Sequence, residues 1–293
     1  WKDEKIMLED IMKFLDNVLT DFITRAPESF SDATYAAMRE RSVGLGVMGF
    51  HSFLQKNSIP IESVMAKVWN NKMFKQIDKE VNAASVKLAE ERGPCPDAAD
   101  YGIMERFSNK TAIAPTASIS IICGGASPGI EPVAANSYTH KTLSGSFNVR
   151  NKYLKQILAK YEKDTDEVWS SITTNQGSIS HLNFLSDLEK DVFKTAFEID
   201  QRWLIDHSAD RTPYVSQAQS LNVFLPADVH KKDLHQIHFQ AWKKGLKSMY
   251  YCRSKSIQRA EVINQTVANA AKNQPAEASN GEAANYEECL SCQ

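Results

Sequence analysis

No apolar run in this 293-residue sequence approaches the roughly 20 residues that a membrane helix needs. The opening Trp1-Lys2-Asp3-Glu4-Lys5 has neither the basic start nor the apolar stretch of a secretory signal. A cytoplasmic location without membrane attachment is therefore expected. Neither sign of charge dominates: 34 Lys and Arg stand against 36 Asp and Glu, a net charge of −2, and no block of basic residues occurs. That balance excludes a nonspecific nucleic-acid binder held by phosphate neutralisation. Cysteine is scarce and odd in number, at five, which excludes a disulfide scaffold and makes reduced thiols the default. Low-complexity sequence is missing from the body, and 42% hydrophobic residues suffice for one large core or two modest ones. The chain opens on Trp1 rather than Met, which points to a piece cut or processed from something longer.

What is present is helical periodicity broken by short extended runs. Ile6, Met7, Ile11, Leu15, Val18, Leu19 and Phe22 form the stripe of an amphipathic helix. Arg41 to Gly49 alternates small and apolar residues as in a buried strand closely approached by a neighbour, and Phe50 to Leu54 opens the next helix. Residues 61–90 form a long helix ended by Gly93-Pro94-Cys95-Pro96. Thr111 to Ala114 is a strand stopped by Pro115. Helical stripes return at 150–161 and at 187–204, where Leu188, Val192, Phe193, Ala196, Ile199 and Trp203 share a face. Tyr214 to Leu225 is extended, 233–244 is a helix closed by Gly245, and Leu246 to Cys252 is a strand. Short strands between longer helices imply parallel βα units, in a barrel or a doubly wound sheet. From about Lys272 the composition turns polar, so a body of 1–271 is followed by a flexible tail of 272–293.

Three constellations could carry chemistry. The strand that runs into Pro115-Thr116-Ala117-Ser118-Ile119 sets hydroxyls and backbone N–H groups where a helix or turn begins, a geometry that accepts phosphate oxygens. An ordinary N-capped helix start reads the same way. The Gly124-Gly125 and Gly129-Ile130-Glu131-Pro132 segments downstream add permissive backbone. Tyr250-Tyr251 reads either as one core and one surface residue of a strand, or as two stacked phenols that pass an electron and a proton in turn. Cys289 and Cys292 form a C-x-x-C on the tail, whose preceding coil gives them a reach of about 25 Å. Such a pair can exchange with a second dithiol, form half of a zinc site, or be inert. The histidines, at 51, 140, 181, 207, 230, 235 and 238, show no metal-ligand spacing.

Taken in order, these segments resemble the C-terminal part of the large, catalytic subunit of class I ribonucleotide reductase over nearly the whole chain. Arg41-Ser42-Val43-Gly44-Leu45-Gly46-Val47 is similar to the family's R-x-[IVL]-G-[IL]-G-V. Ala114-Pro115-Thr116-Ala117-Ser118 with Gly129-Ile130-Glu131-Pro132 is similar to its phosphate-binding strand end and following turn. Leu143-Ser144-Gly145-Ser146-Phe147 resembles L-S-G-x-F, Ser216 to Asn222 resembles D-Q-S-Q-S-L-N, Gly245 to Tyr251 resembles G-[VL]-K-[ST]-x-Y-Y, and the terminal C-x-x-C matches the tail thiols.

The resemblance implies an α/β fold, the C-terminal half of the family's ten-stranded α/β barrel. It implies that Pro115, Thr116, Ala117, Ser118 and Ile119 hold the diphosphate of a ribonucleoside diphosphate. Tyr250 and Tyr251 would relay a radical from a separate small subunit, favouring class I over the cobalamin-dependent class. Cys289 and Cys292 would re-reduce the active-site disulfide and be recharged by thioredoxin or glutaredoxin. No cofactor or metal would be bound by this chain, the radical cofactor, of the di-iron tyrosyl kind, residing in the small subunit. The family's radical-bearing N-x-C-x-E loop does not occur here, and Cys95, Cys123 and Cys252 match none of its cysteines. The expectation is thus one half of a split large subunit, phage-like in motif spelling, completed by an N-terminal half. A non-catalytic half-barrel that binds the small subunit as regulator or decoy is the alternative.

Overall fold

The computed structural model describes residues 4–142 and 145–254. The tail of 272–293, with Cys289 and Cys292, lies outside the described residues, as do Leu143 and Ser144. The helices are α1 (Glu4–Arg25), α2 (Ser31–Glu40), α3 (Phe50–Lys56), α4 (Val64–Arg92), α5 (Pro96–Asp100), α6 (Ala117–Ile122), α7 (Lys152–Lys160), α8 (Asp166–Thr174), α9 (Asp187–Val192), α10 (Gln201–Arg211) and α11 (Lys231–Lys243). The strands are β1 (Ser137–Thr142), β2 (Gly145–Arg150), β3 (Val223–Leu225) and β4 (Cys252–Ser254). No helix among the described residues is long and apolar enough to cross a membrane.

The architecture is a parallel arc. Val43 N–H donates to Asn109 O at 2.9 Å, and Ala112 N–H to Leu45 O at 3.0 Å. Gln217 N–H donates to Thr111 O at 3.0 Å, and Ile113 N–H to Ala218 O at 3.1 Å. Tyr250 N–H donates to Leu221 O at 2.8 Å, Val223 N–H to Tyr251 O at 3.0 Å, and β3 then pairs parallel with β4. Four staves thus lie side by side in chain order. Helices α3 to α5, then α6 to α10, then α11 make the crossovers that parallel strands require. This is the partial α/β barrel that the sequence implies.

The staves are shorter than expected. The first pairs only around Val43 and Leu45, because Arg41 is left-handed at φ 45° and Gly49 at φ 83°. Between them the close approach is real: a Cβ at Gly46 would stand 2.7 Å from Ala112 O. The strand expected at Leu246 to Cys252 pairs only from Tyr250 onward. The extended run expected from Tyr214 opens instead with a 3-10 turn, Thr212–Tyr214.

The single helical stripe expected at 187–204 is two helices. Glu198 draws Thr195 N–H and Oγ1–H onto its carboxylate, both at 2.8 Å, and Asp200 caps α10 through Arg202 N–H. Gln201 donates to Ala196 O and Ile199 O while it accepts Phe224 N–H at 2.8 Å. Its side chain replaces the missing helical turn and ties the break to β3. Val192, Phe193, Ala196 and Ile199 are buried all the same, while Trp203 is half-buried and Leu188 is exposed. Other helices follow the reading closely. Ser63 accepts Ala66 N–H at the start of α4, and Gly93 at φ 86° ends it.

Among the described residues, apolar burial falls into three clusters. The central one joins Phe50, Leu54, Ile61 and Phe74 to Ile113, Leu221, Val223 and Phe224 behind the arc. A second gathers Leu154, Leu158, Trp169, Ile172 and Phe193 near the β1–β2 hairpin. The third packs Met12 against Val81, Leu88 and Phe107. At its edge the wholly buried Asp16 receives Arg41 Nε at 2.9 Å, Arg92 Nη1 at 2.7 Å and Arg106 Nε at 2.8 Å. Burial pushes this carboxyl up, but the hydrogen bonds from Arg106, Arg92 and Arg41 outweigh it and hold it below the usual 3.8.

A carboxyl with a lowered folded value stabilises the fold above its unfolded value, and the contribution disappears as pH falls through the folded one. Denaturant titrations across pH 2 to 7 are therefore expected to show an acid limb that Asp16→Asn flattens. Asp16→Ala, which strands three guanidinium groups, is expected to cost about 3–5 kcal/mol at neutral pH.

Candidate functional site

The register of the arc decides what lies near what. Ile113 is level with Gln219, and Val223 with Cys252. Two residues on from the first pair and two back from the second, Pro115, Leu221 and Tyr250 come level. The expected phosphate loop and the tyrosine pair thus occupy one height of the arc, two strand spacings or about 10 Å apart.

At the loop, Thr116 is left-handed at φ 54° and makes no side-chain cap for α6, so an ordinary capped helix start does not describe it. A β-branched residue reaches that conformation only when its surroundings hold it there. Here its Oγ1 accepts Gly129 N–H at 2.7 Å, and Ser120 N–H donates to its carbonyl at 2.9 Å. With the oxygen already accepting, the threonine O–H is left to donate. The first amides of α6 have no acceptor within the helix, and Ile119 is exposed. Gly129 is required by contact as well as by its φ of 48°, since a Cβ would stand 2.9 Å from Ala114 O. Farther back, Ser127 and Ser52 exchange backbone and hydroxyl hydrogen bonds at 2.8 and 3.1 Å and fix the loop to α3.

The turn at 129–133 carries Glu131, which is only 7% exposed. Its two carboxylate oxygens accept Asn222 N–H at 2.9 Å and Asn222 Nδ2–H at 3.1 Å. Burial raises this carboxyl above its ordinary value, against the pull of both Asn222 bonds and of Arg253. Asn222 Oδ1 in turn accepts Tyr251 N–H at 3.0 Å. Neither Glu131 nor Asn222 stands out by residue type. Both lie in segments the sequence singles out, but 91 positions separate them and no spacing rule joins them.

Tyr250 and Tyr251 are 48% and 45% exposed, so the alternation of core and surface does not apply. Both already pair with the third stave through the backbone, and each phenol is left half-exposed. Their ring centroids are 4.0 Å apart at 47°, and Tyr250 Oη donates to Tyr251 Oη at 3.3 Å. That hydrogen bond raises the Tyr250 phenol above its usual value. The Arg253 guanidinium lies 5.9 Å from the Tyr251 ring. Just upstream, Lys247 Nζ donates to Val215 O at 2.7 Å and Ser216 O at 2.8 Å, tying the tyrosine segment to the previous stave. Of the body thiols, Cys95 is buried while Cys123 and Cys252 are exposed.

The family model "Ribonucleotide reductase, barrel domain" matches residues 3–102 and 96–252. The ribonucleoside-diphosphate reductase large subunit of Invertebrate iridescent virus 6 is 47% identical over 268 residues, covering 90% of this chain and 28% of that protein. Its counterpart from Invertebrate iridescent virus 3 is 42% identical over 273 residues, covering 92% and 43%. Among solved structures, the Actinobacillus ureae class Id ribonucleotide reductase alpha subunit superposes with a TM-score of 0.81 at 37% identity, over 89% of this chain and 48% of that one. The chain spans less than half the length of each of these relatives. The arc of parallel staves, the order of its motifs and a profile match over most of its length agree: the chain belongs to the ribonucleotide reductase family, as part of its barrel domain.

Proposed function

We propose that this chain supplies the diphosphate-holding and radical-relaying part of a ribonucleoside-diphosphate reductase large subunit. The remaining barrel, with the cysteine that carries the radical, would come from polypeptide outside these 293 residues, in the split reading a separate N-terminal half. The observation that carries the reading is the contact of two half-exposed phenols level with the Pro115 loop.

Pro115 to Ile119 hold the substrate's diphosphate, with Thr116 and Ser118 contributing hydroxyls and the first turn of α6 its amides. Tyr250 and Tyr251 pass one electron and one proton per hop. A phenoxyl on one ring takes a hydrogen atom from the other phenol, and the last takes it from the active-site thiol. Substrate reduction converts a dithiol to a disulfide and the 2′-hydroxyl to water. Cys289 and Cys292 then give two electrons and two protons to that disulfide, form their own, and are recharged by thioredoxin or glutaredoxin. The radical originates in the small subunit, at a centre proposed to be di-iron tyrosyl.

Combined with the rest of the large subunit and a small subunit, the chain is expected to form deoxyribonucleoside diphosphates, measured by product chromatography. A mixture that binds the small subunit yet makes no product would leave the regulator reading standing. Tyr250→Phe and Tyr251→Phe should each abolish turnover while substrate binding persists, because phenylalanine has no phenolic proton to lose. Thr116→Val should weaken binding of inorganic pyrophosphate by about tenfold or more, as a hydrogen bond to a charged group is worth about 1.5–3 kcal/mol. Cys289→Ser and Cys292→Ser should stop turnover with thioredoxin but not with dithiothreitol. Unchanged thioredoxin-supported rates would remove the tail from the cycle.

A further inference from the structure

Away from the loop and the tyrosines, the central core holds a cation that no carboxylate grips. Arg211, at the end of α10, is 2% exposed, and the Asp210 carboxylate beside it acts through space without a hydrogen bond. The guanidinium lies between two rings instead, 5.5 Å from the centre of Phe50 and 5.2 Å from that of Phe74. Such contacts attract a cation but leave its N–H groups without acceptors. Burial pushes the Arg211 pKa down to about 9, so the group is still charged at neutral pH.

Three buried polar atoms in this region have no partner: Arg211 Nη1, Asn70 Oδ1 and His207 Nδ1. The bonds on their other ends fix what each one needs. Asn70 Nδ2–H donates to His207 O at 2.8 Å, which orients the amide and leaves Oδ1 as an acceptor. His207 Nε2 stands 2.8 Å from Ile61 O; a carbonyl only accepts, so Nε2 carries the proton and Nδ1 is left as an acceptor. Burial drives this imidazole to a pKa of about 4, so the ring is neutral. Arg211 Nε–H donates to the same His207 O at 3.0 Å. Asn70 from α4 and Arg211 from α10 therefore meet on one oxygen. On each of them the unpartnered atom shares a carbon with the atom that reaches it.

One donor and two acceptors select their ligand. Chloride accepts only, so Asn70 Oδ1 and His207 Nδ1 would repel it. A metal cation is repelled by the guanidinium. Water accepts one hydrogen bond and gives two, and two to four polar partners are what a buried water requires.

We infer that a resident water molecule is bound between α4 and α10, accepting from Arg211 Nη1 and donating to Asn70 Oδ1 and His207 Nδ1. It completes the hydrogen bonding of a buried charge that would otherwise lack it. The guanidinium can then stay protonated between Phe50 and Phe74. Phe50 opens α3, to which Ser52 and Ser127 fasten the glycine-rich loop, so the hydrated arginine underlies that anchor. The site stands independently of the proposed function.

The test grows the full chain on arginine labelled with nitrogen-15 in the guanidinium and records through-space transfer from water to the Arg211 N–H protons, identified by their loss in Arg211→Met. A cross-peak with the sign of a water held longer than the molecule tumbles is expected, and adding sodium chloride should not move the signal. Asn70→Leu removes one acceptor and fills the space, and is expected to abolish the cross-peak while the Arg211 signal remains. If that variant does not fold, oxygen-17 relaxation dispersion of the unaltered chain against Arg211→Met carries the comparison, with the loss of one long-lived water expected. Absence of the cross-peak in the unaltered chain, its persistence in Asn70→Leu, an unchanged dispersion, or a chloride-dependent shift of the guanidinium would each overturn the inference.

Discussion

A parallel strand cannot turn straight back beside its neighbour; it must cross over, and the crossover has to be long enough to hold a helix. Four staves joined in chain order by such crossovers leave their helices on one side and bring successive strand ends to one rim. The candidate site among the described residues is a consequence of that arrangement. Pro115, Leu221 and Tyr250 come level through register alone, although as many as 135 positions separate them in the sequence. The arc holds its register partly by exclusion. Gly46 lies where any side chain would strike Ala112 O, and Gly129 where it would strike Ala114 O. Close approach at these two points keeps the neighbouring segments against the 111–115 stave, so the loop after it starts from a fixed place.

Around the arc, polar burial serves as fastening. Asp16 gathers three guanidinium groups from Arg41, Arg92 and Arg106, tying α1, the end of α4 and the approach to the second stave into one knot. Glu131 does the same on a smaller scale between the turn and the third stave. In both cases a carboxyl far from water is tolerated because it is saturated with donors. The two differ in the outcome: three cations hold the pKa of Asp16 below the ordinary value, whereas the amide donors around Glu131 do not overcome its burial.

Much of this was legible in the residues. Helix α1 shows its stripe, α4 its length and its Gly93 stop, and α11 its Gly245. The motif order identified the family, since several weak patterns in sequence are far more specific than any one. What stayed hidden has physical reasons. In the β1–β2 hairpin only β2 alternates, with Phe147 and Val149 between polar residues, while β1 carries Tyr138 among Ser, Thr, His and Lys, so one short period has no matching partner run beside it. The break between α9 and α10 is set by side-chain bonds from Glu198 and Gln201, which compete with helical hydrogen bonds while leaving the apolar spacing undisturbed. The Glu131–Asn222 link depends on tertiary pairing, and propensity carries no record of a partner 91 positions away.

The division of apolar burial among three clusters bears on how the chain loses its structure. One continuous core melts as a unit, because no part of it can be opened without exposing the rest. Here α4 carries both the central group, at Ala66 and Phe74, and the Met12 group, at Val81, Ala84 and Leu88, so those two are joined by one helix, whereas the group around Trp169 draws on α7, α8 and α9 and is placed to open by itself. Cooperativity is accordingly regional, and a single melting temperature would average over neighbourhoods that let go at different points.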